Sequence, residues 1–335
     1  MSVFKRLGGL LKQIAFGDIV LPQELTTGLE DPSREISVWL HGMGISRDVT
    51  SRHTTACTAP LTICIACDEG ETFGPPDRRR VSLTYCAGGK AKHVLGKIRL
   101  SFHEVISIGA SNFILFRVSG SANYCLPRIR LWAYYLTQAY SQWRRNDPPD
   151  IRMTRVEERA AWVTFIRPHP LYLVSVGNKS AGNIFPMNLM GDLGNGRVGF
   201  GLRELRVASR LVEEAGCLAI SSVPLSHFPV PFGLAGNHRK ESIVWDQLPF
   251  ETHLSTTLRI PVPVFASRVR EIRIEKVCRL GSHRFFVGRI ISDETRSTDP
   301  DACVIHGFYQ YWRIGGDVAQ LKASIQQDRI NRGQS

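Results

Sequence analysis

Short apolar runs, bounded by Gly, Pro and polar clusters, dominate the first third of this chain. Ile36-Ser-Val-Trp-Leu40, Leu61-Thr-Ile-Cys-Ile65, Val81-Ser-Leu-Thr-Tyr85 and Phe113-Ile-Leu-Phe-Arg-Val118 are rich in β-branched and aromatic residues and read as strands. The segment Gly70 to Arg80 reads as an exposed loop. The period then changes. Ile129, Trp132, Leu136, Tyr140 and Trp143 recur at spacings of three and four, and Leu131, Tyr135 and Ala139 widen the stripe. This predicts a helix over 127–145 whose aromatic face packs on something large. Pro127 suits its first turn, the run from Asn123 to Arg128 leads into it, and Asn146-Asp-Pro-Pro149 stops it and serves as a linker. Strand patterns return at 170–176, 197–202, 217–223, 261–276, 284–293 and 304–313. Helices are expected from Leu205 to Ala215, closed by Gly216, within Lys240–Gln247, and from Asp317 through Gln327. The reading is mainly β with helices (α+β). An N-terminal arm (1–35) and a β-rich domain (36–150) precede an antiparallel barrel (151–316) and a C-terminal helix and tail (317–335). No internal repeat of solenoid period is visible.

Length and composition fit that picture. A chain of 335 residues, 43% hydrophobic and 21% charged, buries a large core. No run of 18 apolar residues occurs, so no transmembrane helix is expected. Met1 to Phe16 is basic and amphipathic, with Phe4, Leu7, Leu10, Leu11 and Ile14 against Lys5, Arg6 and Lys12. It lacks a signal-peptide cleavage site and reads as docked on its own domain.

The net charge is +12, but apart from Arg78-Arg79-Arg80 and Arg144-Arg145 the arginines are scattered. No nucleic-acid-binding signature accompanies them, so they read as a solvated basic surface and no nucleic-acid partner is expected. Among the eight cysteines, Cys64-x-x-Cys67 lacks both the following helix of a redox motif and the second pair of a zinc ribbon. On a strand the two face opposite sides. They read as buried thiols in a reducing, cytoplasmic compartment. His41, Asp48 and His53 cluster without metal-ligand spacing and read as a loop, so no metal site is expected. Gly199-x-Gly201 lacks the third glycine and the βαβ frame of a dinucleotide loop.

The chemistry concentrates in Asn178 to Arg210, NKSAGNIFPMNLMGDLGNGRVGFGLRELRVASR, and in Gly281-Ser-His-Arg-Phe-Phe-Val-Gly-Arg-Ile290. With the preceding run Pro170 to Val176, these resemble the flavin reductase family, which has an FMN-binding split barrel. The resemblance covers about Trp162 to Gly316. It implies that Asn183, Pro186, Met187, Asn188 and Leu189 line the flavin ring and ribityl chain, although the family's segment is richer in Ser and Thr. It implies a phosphate site at the following helix start, with Ser209 as hydroxyl and Arg203, Arg206 and Arg210 as basic partners; helix starts suit phosphate.

His283 stands where the family often has Gly-Asp-His, a histidine associated with nicotinamide binding; here Ser282 replaces the Asp. The run Ser226 to Arg239, with His227, Phe228, Phe232 and His238, corresponds to an insertion that covers the site. The implied activity is NAD(P)H:flavin oxidoreduction with FMN as cofactor and a monooxygenase as candidate acceptor of reduced flavin. The alternative is a non-catalytic FMN- or small-molecule-binding module. A homodimer is also implied, through Val262, Val264 and Phe265 and the helix face of Trp132, Tyr140 and Trp143.

Overall fold

The computed structural model describes residues 21–67, 81–88, 93–144, 151–178 and 180–331. The amphipathic Met1–Phe16 segment, the Gly70–Arg80 loop, the Asn146–Pro149 linker and the expected boundary at 150 lie outside them. The chain is mainly β with helices, as the sequence pattern predicts.

Two seven-stranded antiparallel sheets make up most of it. The first contains β2 (Ile36–His41), β3 (Arg47–Asp48), β4 (His53–Thr58), β5 (Leu61–Cys67), β6 (Ser82–Ala87), β7 (His93–Ile108) and β8 (Ser111–Asn123) in the order β3-β2-β6-β7-β8-β5-β4. A small sheet ties the ends of the chain to its middle: β1 (Leu25–Leu29), β19 (Asp301–Ile305) and β9 (His169–Pro170). The second large sheet contains β10 (Tyr172–Gly177), β11 (Gly182–Met187), β12 (Met190–Asp192), β13 (Arg197–Arg203), β14 (Cys217–Ser222), β17 (Arg268–Leu280) and β18 (His283–Thr295) in the order β11-β10-β14-β17-β18-β13-β12. The strands β15 (Thr252–Leu254) and β16 (Pro261–Pro263) pair within the β14–β17 connection. Met187 and Met190, next to the two unpaired edges of the second sheet, join one core cluster with Val174, Phe200, Ile220 and Phe286. The sheet therefore curls round that cluster without closing, as a split barrel.

The apolar runs explain why the sheets stack. Phe285-Phe286-Val287 is buried on both faces, so it is continuous rather than alternating. Phe286 enters the barrel core, while Phe285 and Val287 face the first sheet. Phe113-Ile114-Leu115-Phe116 does the same from the other side. Ile114 and Phe116 enter the first core, and Phe113 and Leu115 join the layer between the sheets with Ala56, Cys57, Cys64, Phe285 and Val287. Cys64 and Cys67 fall in different clusters, as opposite strand faces require.

Helices close the ends. The first long one, α1 (Arg128–Trp143), buries Leu131, Ala133, Tyr134 and Thr137. This corrects the expected packing: Ile129, Trp132, Leu136 and Trp143 are exposed. The face that packs does so through Tyr134 against Phe308 and Tyr135 stacked on Trp162. Helix α2 (Arg155–Thr164) begins with a capping box between Thr154 and Glu157. Helix α3 (Val207–Ala215) starts two residues later than expected, leaving Leu205 exposed, and ends at Gly216 with φ 63°. The strands expected over 261–276 and 304–313 are also corrected. Pro261 and Pro263 lack N–H donors and confine β16 to one partner. After β19, His306 caps helix α4 (Gly307–Arg313) by accepting the Phe308 N–H through Nδ1 at 3.1 Å. Helix α5 (Val318–Asn331) follows.

Candidate functional site

A cavity of about 590 Å³ opens at one end of the barrel. Pro186, Met187, Asn188 and Leu189 line it where β11 gives way to β12, and Gly201, Leu202 and Arg203 where β13 ends. Arg206, the N-cap of α3, follows. Ala235, Gly236, His238 and Arg239 come from the β14–β17 connection, His283 from the start of β18, and Ile151 from the chain before α2. Thr58 enters from β4, in the other sheet.

Register brings the parts together. Arg203 and His283 are paired across β13 and β18. The tight turn ahead of His283 is fastened on two sides. Glu204 N–H donates to the Ser282 carbonyl at 3.0 Å, and Ser282 N–H donates to the Ala59 carbonyl at 2.9 Å. Ala59 N–H donates to Ser282 Oγ at 3.2 Å. Arg284, beside the turn, holds Glu204 with Nε and Nη2 at 2.8 and 2.9 Å.

His283 is 3% exposed. Its Nδ1 lies 2.8 Å from Ser282 Oγ, 3.5 Å from Thr58 Oγ1 and 3.8 Å from Cys57 Sγ. Burial, then the Arg203 charge, push its pKa down to about 4, so the ring is neutral at pH 7. Burial also lowers His238; the Pro186 carbonyl opposes this, and Arg206 and Arg203 add to it. His238 Nε2 is 2.8 Å from that carbonyl. A carbonyl only accepts, so Nε2 carries the proton. Arg203, Arg206 and Arg239 give the lining three guanidiniums, and no carboxylate is among the described lining residues. The start of α3 adds its positive dipole end.

Seven of the ten residues named from sequence meet here: Pro186, Met187, Asn188, Leu189, Arg203, Arg206 and His283. Three lie elsewhere. Asn183 is fully buried, and its Nδ2 donates to the carbonyls of Asn237 and Lys240 at 3.0 and 2.7 Å. Asn237 Nδ2 donates back to the Ile184 carbonyl, so this pair stitches the β14–β17 connection to β11. Ser209 is fully buried and its Oγ has no hydrogen-bond partner among the described residues. Arg210 faces solvent and pairs with Glu214 and Glu241. Of the expected lid residues, only His238 lines the cavity. Phe228 is core, Phe232 packs against the same cluster, and His227 stacks on Phe265.

Sequence reading missed Thr58, Leu202 and Arg239. It considered Gly201 only as part of a Gly199-x-Gly201 pair that makes no dinucleotide loop, whereas this glycine permits a close approach. The approach is to β4: a Cβ on Gly201 would lie 2.8 Å from the Ala56 carbonyl. Nothing near Thr58 in sequence signals its place.

Among the described residues, no group of three or more His, Cys, Asp or Glu is placed to hold a metal. No described helix is long and apolar enough to cross a membrane. No family model and no curated protein matches the chain. Solved structures do. An NADH:FAD oxidoreductase of Streptomyces globisporus is 16% identical over 48% of this chain and 96% of that one, with a TM-score of 0.40. An FMN-binding protein of Thermus thermophilus is 19% identical over 46% and 80%, with a TM-score of 0.36. The styrene monooxygenase flavin reductase of Pseudomonas putida is 14% identical over 44% and 92%, with a TM-score of 0.36. Each likeness spans less than half of this chain.

Proposed function

We propose that this cavity binds a flavin, FMN in preference to FAD, and that the protein is an NAD(P)H:flavin oxidoreductase. The observation that carries the reading is the division of the lining. Pro186, Met187, Leu189 and Leu202 are apolar, while Arg203, Arg206 and Arg239 bring positive charge to the other part of the lining. An amphiphilic anion fits such a site: a flat ring wants an apolar wall, and a terminal phosphate wants guanidiniums beside a helix start. The volume, about 590 Å³, lies within the range of roughly 300–1,000 Å³ for small-molecule sites. The motif resemblance at Gly281 to Gly288 supports the same reading.

The residues fit the group, and each has work that follows from its chemistry. Asn188 offers an amide to the ring's donor–acceptor edge. His283, neutral and fixed through Nδ1, offers a hydrogen bond without bringing charge. His238 holds the β14–β17 connection against Pro186 and helps exclude water. The bound flavin would supply the redox chemistry, accepting hydride from NAD(P)H. A monooxygenase is the proposed recipient of the reduced flavin.

Titrating flavin-free protein with FMN and FAD tests the cofactor. Tighter binding of FMN is expected; equal or tighter FAD binding removes the preference, and no binding of either removes the reading. Anaerobic NADH should then bleach the bound flavin. A flavin that binds but is never bleached would leave a non-catalytic flavin-binding protein.

A further inference from the structure

The two large sheets are the same sheet twice. Number the strands of each by chain order. Both then run second, first, fifth, sixth, seventh, fourth, third, with every neighbour antiparallel. The likeness extends to register. The sixth and seventh strands form a hairpin closed by two residues in each copy. Ile108 pairs with Ser111 around Gly109-Ala110, and Leu280 pairs with His283 around Gly281-Ser282. Both glycines have positive φ, 60° and 57°. Each hairpin carries two register breaks. In the first copy they fall between Arg99 and Leu100 and between Phe102 and Glu104. In the second they fall between Glu271 and Ile272 and between Ile274 and Lys276. Counted back from the turn, these are the same positions. Bulges are specific local features, and a coincidence of two in one hairpin is not expected of unrelated sheets.

The copies also meet as symmetric subunits do. In a two-fold contact the same patch faces itself. Here Phe113 and Leu115 and their counterparts Phe285 and Val287 share one buried layer. The cavities follow suit. Thr58 of the first copy reaches the cavity beside the second copy's turn. Asn195 and Arg197 of the second copy reach a cavity of about 590 Å³ beside the first copy's turn.

Only one of the two is equipped as a cofactor site. The first copy has Ser111 where the second has His283. Its fifth and sixth strands, ending at Ala87 and beginning at His93, are separated by five residues in sequence, whereas the second copy inserts Val223 to Ser267, the source of His238 and Arg239. At the first copy's turn, Arg197 donates to Ser111 Oγ at 3.2 Å and to Glu275 at 2.6 Å.

We propose that this chain is a tandem pair in which the first copy has taken the place of a second subunit, sealing the second copy and completing its pocket within one chain. The covalent arrangement does not depend on the proposed function; the statement that one pocket remains rests on it.

The test uses the full-length protein. Ser282→Cys puts a sulfur where a hydroxyl now lies 3.5 Å from Cys57 Sγ. After mild oxidation, denaturation without reductant should yield single chains carrying that disulfide, located by peptide mass. Chains joined in pairs through Cys57 would overturn the proposal. So would failure to join when both thiols are shown by alkylation to be reactive. Flavin titration of the unsubstituted protein should reach one flavin per chain, and two per chain would overturn the loss of the first site. A protein that joins within one chain yet takes no flavin removes the function proposed above and leaves the tandem pair standing.

Discussion

At the scale of single residues, the cavity's charge and its histidines behave differently. Arg206→Ala or Arg239→Ala removes one guanidinium from the lining and should weaken FMN binding by about tenfold, or about 1.4 kcal/mol, while riboflavin binding changes little. Titration with both ligands checks this, and equal losses would count against phosphate contact. His283→Ala should slow anaerobic reduction by NADH by about 100-fold, with flavin affinity within about threefold. Stopped-flow absorbance measures it, and an unchanged rate makes His283 structural.

Buried histidines also set a pH dependence. Burial holds His53 and His306 at about 3 and His169 and His283 at about 4, against an ordinary 6.5. The unfolded chain therefore binds more protons between those values, and stability falls as pH drops from 6.5 towards 4. Each ring contributes a slope of about 1.4 kcal/mol per pH unit. His306→Asn keeps an oxygen to accept the Phe308 N–H and removes one titrating ring. Urea unfolding at several pH values should show the slope reduced by about that amount; an unaltered slope would mean that His306 does not contribute. These side chains were legible in sequence where a motif named them, as for His283. Thr58 was not, because it acts from another sheet, and Ser209 and Arg210 turned away because the helix begins at Val207 and sets their faces.

Among elements, legibility followed period and length. The strands around Ile36, Leu61, Val174 and Val198 read cleanly because each is short and bounded. The hairpin of β7 and β8 was only half seen: exposed Lys97, Arg99 and Glu104 interrupt its apolar positions. Helix α2 was missed although Thr154-x-x-Glu157 marks its start. The exposed aromatic stripe of α1 misled because hydrophobic spacing defines a face without saying which face is covered. Across the two sheets, β4 lies close against β13. Gly199 and Gly201 permit it: a Cβ on Gly199 would lie 3.0 Å from Thr54 Cγ2 and 2.9 Å from Phe285 Cζ. Gly201→Ala should cost about 1–3 kcal/mol by forcing backbone apart, read as a lower urea midpoint. An unchanged midpoint would show that β4 yields easily.

For the whole molecule, the tandem arrangement gives an expected mass. The sequence reading asked for a second copy at Val262, Val264 and Phe265 and at the α1 face of Trp132, Tyr140 and Trp143; Val262 is fully buried and Phe265 packs against a core cluster, while Val264, Trp132 and Trp143 are exposed. Sedimentation at micromolar protein should give about 37.5 kDa. Twice that mass would mean that fused chains associate further, with the exposed stripe of α1 as the first surface to test. The duplication was invisible in sequence because strand order and register leave almost no residue-level trace. Gly109 and Gly281 match, as do Phe113 and Phe285, and little else stands out. In a dimer of identical chains, every substitution is made at both sites at once, so neither site can change without the other. Ser111 and His283 hold one position in this chain and differ. Here inheritance acts on each half separately: one half can drift into scaffolding while the other keeps its chemistry, and Thr58 can vary without altering its counterpart.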